Sequence, residues 1–249
     1  MSGALEVAAI GMRAQQRALD AIASNVSNIN TPAFKRSEMR FAELVSPVTG
    51  GGGASPDAVA GVDLRILPAL DRQGQLDATG NPLDIAIDGA GFIELMGPAG
   101  RTLLWRGGRL RTLEDGTLAT SAGLALKAGI EVPAESTQLR IDRTGKVFAT
   151  RLDGESEIGT IALVRPTEPD MIERLEGGIY ALVDDGGAIE AAAGEEGLGT
   201  IVQASLERSN VDLNNEMVAL LISQRAYAAN AQVVRVADEF LTLANNLRR

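Results

Sequence analysis

The chain has 249 residues with neither cysteine nor histidine, which excludes thiolate nucleophiles, disulfides, imidazole bases and Cys/His metal sites before any motif is sought. Its 23 basic and 33 acidic residues leave a formal charge of -10, which argues against a general nucleic-acid binder, because phosphates reward excess Lys and Arg, and weakens binding to anionic membranes for the same reason. Aromatic residues make up 3% of the chain, so its packing must rely on Leu, Ile, Val and Ala.

Glycine and charge then divide the chain. Residues 1–49 hold 2 of the 28 glycines, residues 200–249 hold none, and the middle holds the other 26. The ends can therefore be helices, whereas the middle cannot be mostly helical. The ends are close to charge balance, with five basic and four acidic residues in 1–49 and five of each in 200–249. The middle, with 13 basic and 24 acidic residues, carries -11.

The first predicted element is a helix. Leu5, Ala8, Met12, Gln15, Leu19, Ile22, Val26 and Ile29 step by alternating threes and fours, the spacing of coiled-coil core positions. Thr31-Pro32 ends the pattern, since proline disfavours a helical predecessor and cannot continue the hydrogen-bond ladder. Arg13, Arg17, Lys35, Arg36 and Arg40 form a basic patch, readable either as a solvated helix face or as a docking surface for an acidic neighbour. No run of about 18 uncharged apolar residues predicts a spanning helix. The opening MSGALEVAAIGMRAQQRALD lacks the grammar of a secretory signal, so the chain is expected to stay in the cytoplasm or to leave by another route.

Residues 46–62, with four consecutive glycines, read as a flexible linker or loop, and 63–200 as a central, mostly antiparallel β domain. Apolar runs such as VDLRILPAL, LDIAIDGAGFIEL, TLLWRGGRLRTL, LALKAG, QLRIDRTGKVFAT and GGIYALVDD are separated by turn signals. In one predicted hairpin, Leu139 and Ile141 oppose Val147 and Ala149 across the turn Arg143-Thr144-Gly145-Lys146. Asp84 and Asp88 could pair as an acid and a base or as hard-metal ligands, but about 13 Å of extended chain separates them and Asp88-Gly89 is an ordinary turn signature. No Gly-Lys-Ser/Thr follows Gly89 and Gly91, and no hydroxyl has a histidine partner. The residues thus suggest no catalytic, cofactor or metal site.

The last element, within 201–249, repeats the helical rhythm through Leu213, Met217, Leu220, Gln224, Tyr227, Ala231, Val234, Asp238 and Leu241, bordered by Leu221 and Val233. Ser209-Asn210 or Asp212 can cap it, Glu216 suits its first turns, and Arg248 and Arg249 suit its end. Gln15, Gln224 and Asp238 at core-like positions would fix register, meet polar groups of an adjacent subunit, or face solvent at a frayed edge. The fold class expected is α+β, with N-terminal (1–45) and C-terminal helices paired as a coiled-coil-like layer. Alanine-rich seams suit lateral packing of several helices.

At both ends the residues also carry a resemblance. GMRAQQRALDAIASNVSNINTPAFKRS, through Asn25, Asn28, Asn30, Thr31, Phe34, Lys35 and Arg36, resembles the N-terminal signature of bacterial flagellar rod and hook proteins, with Pro32-Ala33 a modest departure. SLERSNVDLNNEMVALLISQRAYAANAQVVRVADEFL is similar to the C-terminal signature through Ser209, Asn210, Val211, Gln224, Arg225 and Tyr227, and GNPLDIAIDGAGFIEL resembles the family's β domain. The chain is identified as a member of the basal-body rod family (FlgF/FlgG-like), with length leaning slightly toward FlgF. This resemblance implies a non-enzymatic subunit of a hollow, torque-transmitting shaft in the periplasm. Its partners would be copies of itself, neighbouring rod or hook proteins and the flagellar type III export apparatus, which needs no cleaved signal. The expected assembly seam is Leu5, Met12, Leu19, Ile22, Val26 and Ile29 with Met217, Leu220, Leu221, Tyr227, Val234 and Leu241. A self-contained globular binding or adaptor protein with an intramolecular terminal hairpin, or a hook-type subunit, are the alternative readings.

Overall fold

The computed structural model describes residues 2–43, 62–168, 172–182, 188–195 and 197–247. The expected linker at 46–62 lies outside these residues except for Val62, which begins a strand. The chain is α+β and separates into two compact units: Met1–Ser27, Ser37–Leu67 and Asp212–Arg249 in the first, Asn28–Arg36 and Pro68–Val211 in the second.

In the first unit, helix α1 (Ser2–Ser27) packs against helix α2 (Leu213–Leu247). The approach is close: a Cβ added at Gly11 would lie 2.8 Å from Asn230 Nδ2. α2 starts where Asp212 Oδ1 accepts the backbone N–H groups of Asn214 (2.8 Å) and Asn215 (3.1 Å), satisfying two donors that the first turn leaves without helical partners. Arg248 and Arg249 lie outside the described residues. Past the end of α1, Ser37–Glu43 pairs with Val62–Pro68 in a two-stranded ribbon. Asn25, buried in the last turn of α1, fixes the start of that ribbon: its Oδ1 accepts from Ser37 N (2.7 Å) and its Nδ2 donates to Ser37 O (3.1 Å).

The second unit is built from antiparallel sheets. The largest has six strands in the order Ile172–Arg174, Ile179–Leu182, Thr102–Trp105, Phe92–Met96, Leu163–Pro166 and Ala188–Ala191. Its side chains alternate between two buried layers, as the period of two requires. Ile93, Leu95, Leu103, Trp105 and Leu163 enter the main core, while Phe92, Leu104, Val164, Ile172 and Tyr180 form a second cluster. A four-stranded sheet, Thr200–Gln203, Asp84–Asp88, Gly107–Thr112 and Leu118–Thr120, adds Ile85, Ile87, Leu110, Leu118 and Ile201 to the main core.

The hairpin expected around Arg143 to Lys146 is present: Gln138–Ile141 pairs with Lys146–Arg151, setting Ile141 opposite Val147 and Leu139 opposite Ala149, all four buried. Asp142 holds its turn by accepting from Thr144 N, Thr144 Oγ1 and Lys146 N. Gly154–Thr160 completes a three-stranded sheet, and Ser205–Glu207 pairs with Leu76–Ala78. LALKAG differs from expectation. It makes isolated bridges through Ala125 and Leu126 instead of a strand, because Gly123 and Gly129, both at positive φ, turn the chain at either side.

Candidate assembly site

Among the described residues the densest polar cluster lies in the second unit and joins the two chain segments that bound it. Glu207, at the end of its strand, is buried, and its carboxylate is fully engaged. Oε1 accepts from Lys35 Nζ at 2.6 Å and from Gly74 N at 2.8 Å, and Oε2 accepts from Arg106 Nε at 3.0 Å. Lys35, 1% exposed, also donates to Arg72 O at 2.8 Å. Arg106 spends its remaining donors on the carbonyls of Gly91 (2.6 Å), Ile87 (3.4 Å) and Gly89. Burial lowers the Lys35 pKa, opposed by the charge of Glu207 and reinforced by that of Arg106. Gly74 is obligatory here, since a Cβ would fall 1.9 Å from Arg208 O.

Lys35 therefore does not belong to a solvent-facing basic patch. It is a buried partner of Glu207, 172 positions away, while Arg13, Arg17 and Arg40 are exposed. The neighbouring motif residues serve the same junction. Phe34 is buried under the Arg174 guanidinium, 4.2 Å from its ring centroid, and Arg174 donates to Lys35 O. Asn210 Oδ1 accepts from Arg36 N (2.6 Å), and its Nδ2 donates to Ala69 O (3.1 Å) and Arg72 O (2.8 Å). Ser209 Oγ accepts from Val211 N, Val211 is buried, and Asn28 Oδ1 accepts from Thr31 Oγ1, while Asn30 is exposed. Ala33 sits at φ 58, a left-handed conformation costly for a residue with a Cβ, and donates its N–H to Glu207 O at 2.7 Å.

In the helical unit the most buried positions are, Ile22 apart, small or polar. They are Ala8, Ala18, Ala21, Ile22 and Asn25 on α1 and Glu216 and Ser223 on α2, with Asn230 opposite Gly11. Of the large residues in the expected seam, Ile22 is buried; Met12, Leu19, Ile29, Leu220 and Val234 are half-buried. Val26, Met217, Leu221 and Tyr227 are exposed, as are Gln224, Arg225 and Asp238. The side chains of Leu5 and Leu241 lie outside the described residues. The buried line 216, 223, 230 is one residue, or about 100° of helix, away from 217, 224, 231.

That rotation leaves an apolar face uncovered. Val218, Ile222, Val233, Val236 and Phe240 are between 42% and 63% exposed, and with exposed Ala229 they step by 4, 7, 4, 3 and 4, a single stripe along α2. No helix is long and apolar enough to cross a membrane, among the described residues.

The carboxylates considered for chemistry have structural roles or stand apart. Asp84 is buried and accepts from Arg109 Nε (2.8 Å) and from Asn81 Nδ2 (3.2 Å), whereas Asp88 is exposed. Burial raises the Asp84 pKa, but the hydrogen bonds from Arg109 and Thr79 and the charge of Arg109 outweigh it and hold the group below its ordinary value.

A β body closed by a polar junction between chain-end segments, together with helices carrying an uncovered apolar stripe, defines a structural subunit made for lateral packing. Comparison with known proteins agrees. Three family models match: "Flagella basal body rod protein" at residues 5–35, "Flagellar hook protein FlgE/F/G D1 domain" at 86–149 and "Flagellar basal body rod FlgEFG protein C-terminal" at 202–247. The flagellar basal-body rod protein FlgG of Caulobacter vibrioides is 33% identical, covering 98% of this chain and 99% of that protein. FlgG of Bacillus subtilis is 30% identical over 96% of each chain. The flagellar hook protein FlgE of Brucella abortus is 36% identical over 50% of this chain and 30% of that protein. The chain belongs to the flagellar basal-body rod protein family, a structural and non-enzymatic family. Near-complete coverage of FlgG-named relatives removes the length argument that leaned toward FlgF.

Proposed function

We propose that the chain polymerises, with copies of itself and with neighbouring rod or hook proteins, into a hollow shaft that crosses the periplasm and transmits torque. Its α1 and α2 would pair in a coiled-coil-like layer lining the shaft. The observation that carries this reading is the stripe Val218, Ile222, Ala229, Val233, Val236 and Phe240. Aliphatic and aromatic side chains repeated along some 33 Å of helix are costly to leave in water and gain by meeting an apolar face of another subunit. The expected seam residues that remain exposed, Val26, Met217, Leu221 and Tyr227, supply further faces for the same packing. Transport by the flagellar type III apparatus, without a cleaved signal, belongs to this reading through the family.

Val236→Asp tests it. In sedimentation across concentration, the variant is expected to stay monomeric where the parent chain assembles, with the fluorescence of Trp105 in the β core unchanged. A parent chain that stays monomeric at every concentration favours a self-contained globular protein instead.

A further inference from the structure

We infer that Gly11, Asn25, Glu216 and Asn230 form a register lock between α1 and α2, deciding which residue of one helix faces which residue of the other. The inference concerns alignment within the single chain and stands apart from the polymer reading above.

The helices run antiparallel from a shared end. Ala33 N donates to Glu207 O at 2.7 Å and Asn210 N donates to Phe34 O at 3.3 Å, so the chain that leaves α1 meets the chain that enters α2. Gly11 lies 16 residues before the end of α1 and Asn230 lies 17 residues after the start of α2, equal heights at about 1.5 Å per residue. They approach closely at that height, since a Cβ added at Gly11 would lie 2.8 Å from Asn230 Nδ2. Counting seven residues at a time from this contact brings Ala18 opposite Ser223 and Asn25 opposite Glu216, and all four of these are buried.

Stability alone does not call for these residues. An aliphatic side chain at each buried position would hold two helices together more strongly than a carboxylate or an amide, and what a polar group in a helix seam is known to supply is a fixed alignment. Glycine inside a helix is likewise disfavoured against alanine, so Gly11 needs a separate reason, and the room it leaves for the Asn230 amide is one. Asn25 ties the same alignment to the strand that follows α1, because its amide already holds Ser37 N and Ser37 O.

A slip of the helices shows how the lock discriminates. An apolar seam repeating every seven residues packs nearly as well after a shift of seven, so it does not choose between registers. The polar members do. A shift of seven in either direction sets Asn230 against an alanine, Ala18 or Ala4, whose Cβ occupies the space that Gly11 leaves open, and it carries Glu216 away from Asn25. With positions 216, 223 and 230 committed to α1, the exposed stripe of Val218, Ile222, Val233, Val236 and Phe240 keeps one direction along α2.

The chain has no cysteine of its own, so engineered cysteine pairs report alignment in the full-length protein. Gln15→Cys with Ala226→Cys is a matched pair, between the Gly11/Asn230 and Ala18/Ser223 layers. Ala8→Cys or Ile22→Cys with Ala226→Cys is displaced by seven residues, about 10 Å along the helix and beyond the reach of a disulfide. Under mild oxidation the matched pair should close within one chain at least about tenfold faster than either displaced pair. Asn230→Leu combined with Glu216→Leu replaces two polar members by aliphatic ones, and should bring a displaced pair to within about threefold of the matched pair, with helix content by circular dichroism unchanged. Gly11→Ala should shift the ratio the same way although it raises helix propensity, whereas a purely local effect on α1 would leave the ratio where it was. Retention of the tenfold preference in either variant overturns the lock, as does equal closure of all pairs in the parent chain. Loss of helix content in the Asn230→Leu, Glu216→Leu chain overturns it too, because those residues would then carry stability and not alignment.

Discussion

The β unit and the helical unit bury opposite kinds of residue. In the β unit large aliphatic side chains are interior and even the buried charges are paired: Glu207 meets Lys35 and Arg106, and Asp84 meets Arg109. In the helical unit the interior line is mostly alanine, serine, asparagine and glutamate, with Ile22 the large apolar exception, while Val218, Ile222, Val233, Val236 and Phe240 remain exposed. The β unit satisfies itself; the helical unit satisfies its backbone and small-residue contacts and leaves a stripe of apolar side chains uncovered. A structural subunit that separates the two roles concentrates stability in one unit and uncovered apolar surface in the other.

This contrast can be broken most severely at Glu207. Glu207→Ala leaves Lys35 and Arg106 buried without their counter-charge, and a loss of about 3–5 kcal/mol is expected in urea unfolding followed by Trp105 fluorescence. Helix pairing that melts together with the β core at the same urea concentration would show that the two units are not energetically separate. Gly74→Ala should cost less, about 1–3 kcal/mol, because the backbone must yield to remove a contact of 1.9 Å with Arg208 O.

Asp212→Ala removes a helix cap and should lower stability by about 1 kcal/mol, read by circular dichroism as fraying of α2 while Trp105 is unaffected. The smallest effect is expected at Asp84, whose partner Arg109 is largely exposed. Its folded pKa lies below its unfolded one, so its contribution is present above the ordinary carboxylate pKa and is lost as pH falls through the folded value. The stability difference between the parent chain and Asp84→Asn should therefore narrow on acidification from pH 7 into that range. A difference that widens would reverse the sign argued for this ion pair.

Much of this fold is legible in the sequence where the deciding interactions are local. The three-four rhythm marks both helices, Asp212 is among the residues that can cap the second, and Thr144-Gly145 marks the hairpin turn, because each acts within a few residues. The candidate site is legible only by resemblance. Nothing near Lys35 says that it is buried, and by spacing alone it groups with Arg36 and Arg40. Its counter-charge lies 172 residues away, and its carbonyl partner Arg72 is set by a loop. Ala33 gives no signal either: its Cβ disfavours the left-handed conformation found there, so nothing in the sequence announces it.

The sequence by itself determined that the ends are helical, that the middle is antiparallel β and that imidazole and thiol chemistry are absent, since composition and short-range periodicity are properties of consecutive residues. Tertiary structure alone decided which line of each helix faces the other. A heptad pattern marks where apolar side chains repeat, but it does not say whether they meet within the chain or outside it. Close helix approach favours small side chains, so, Ile22 apart, the interior line is small or polar, and on the second helix the large apolar residues lie about 100° away from it.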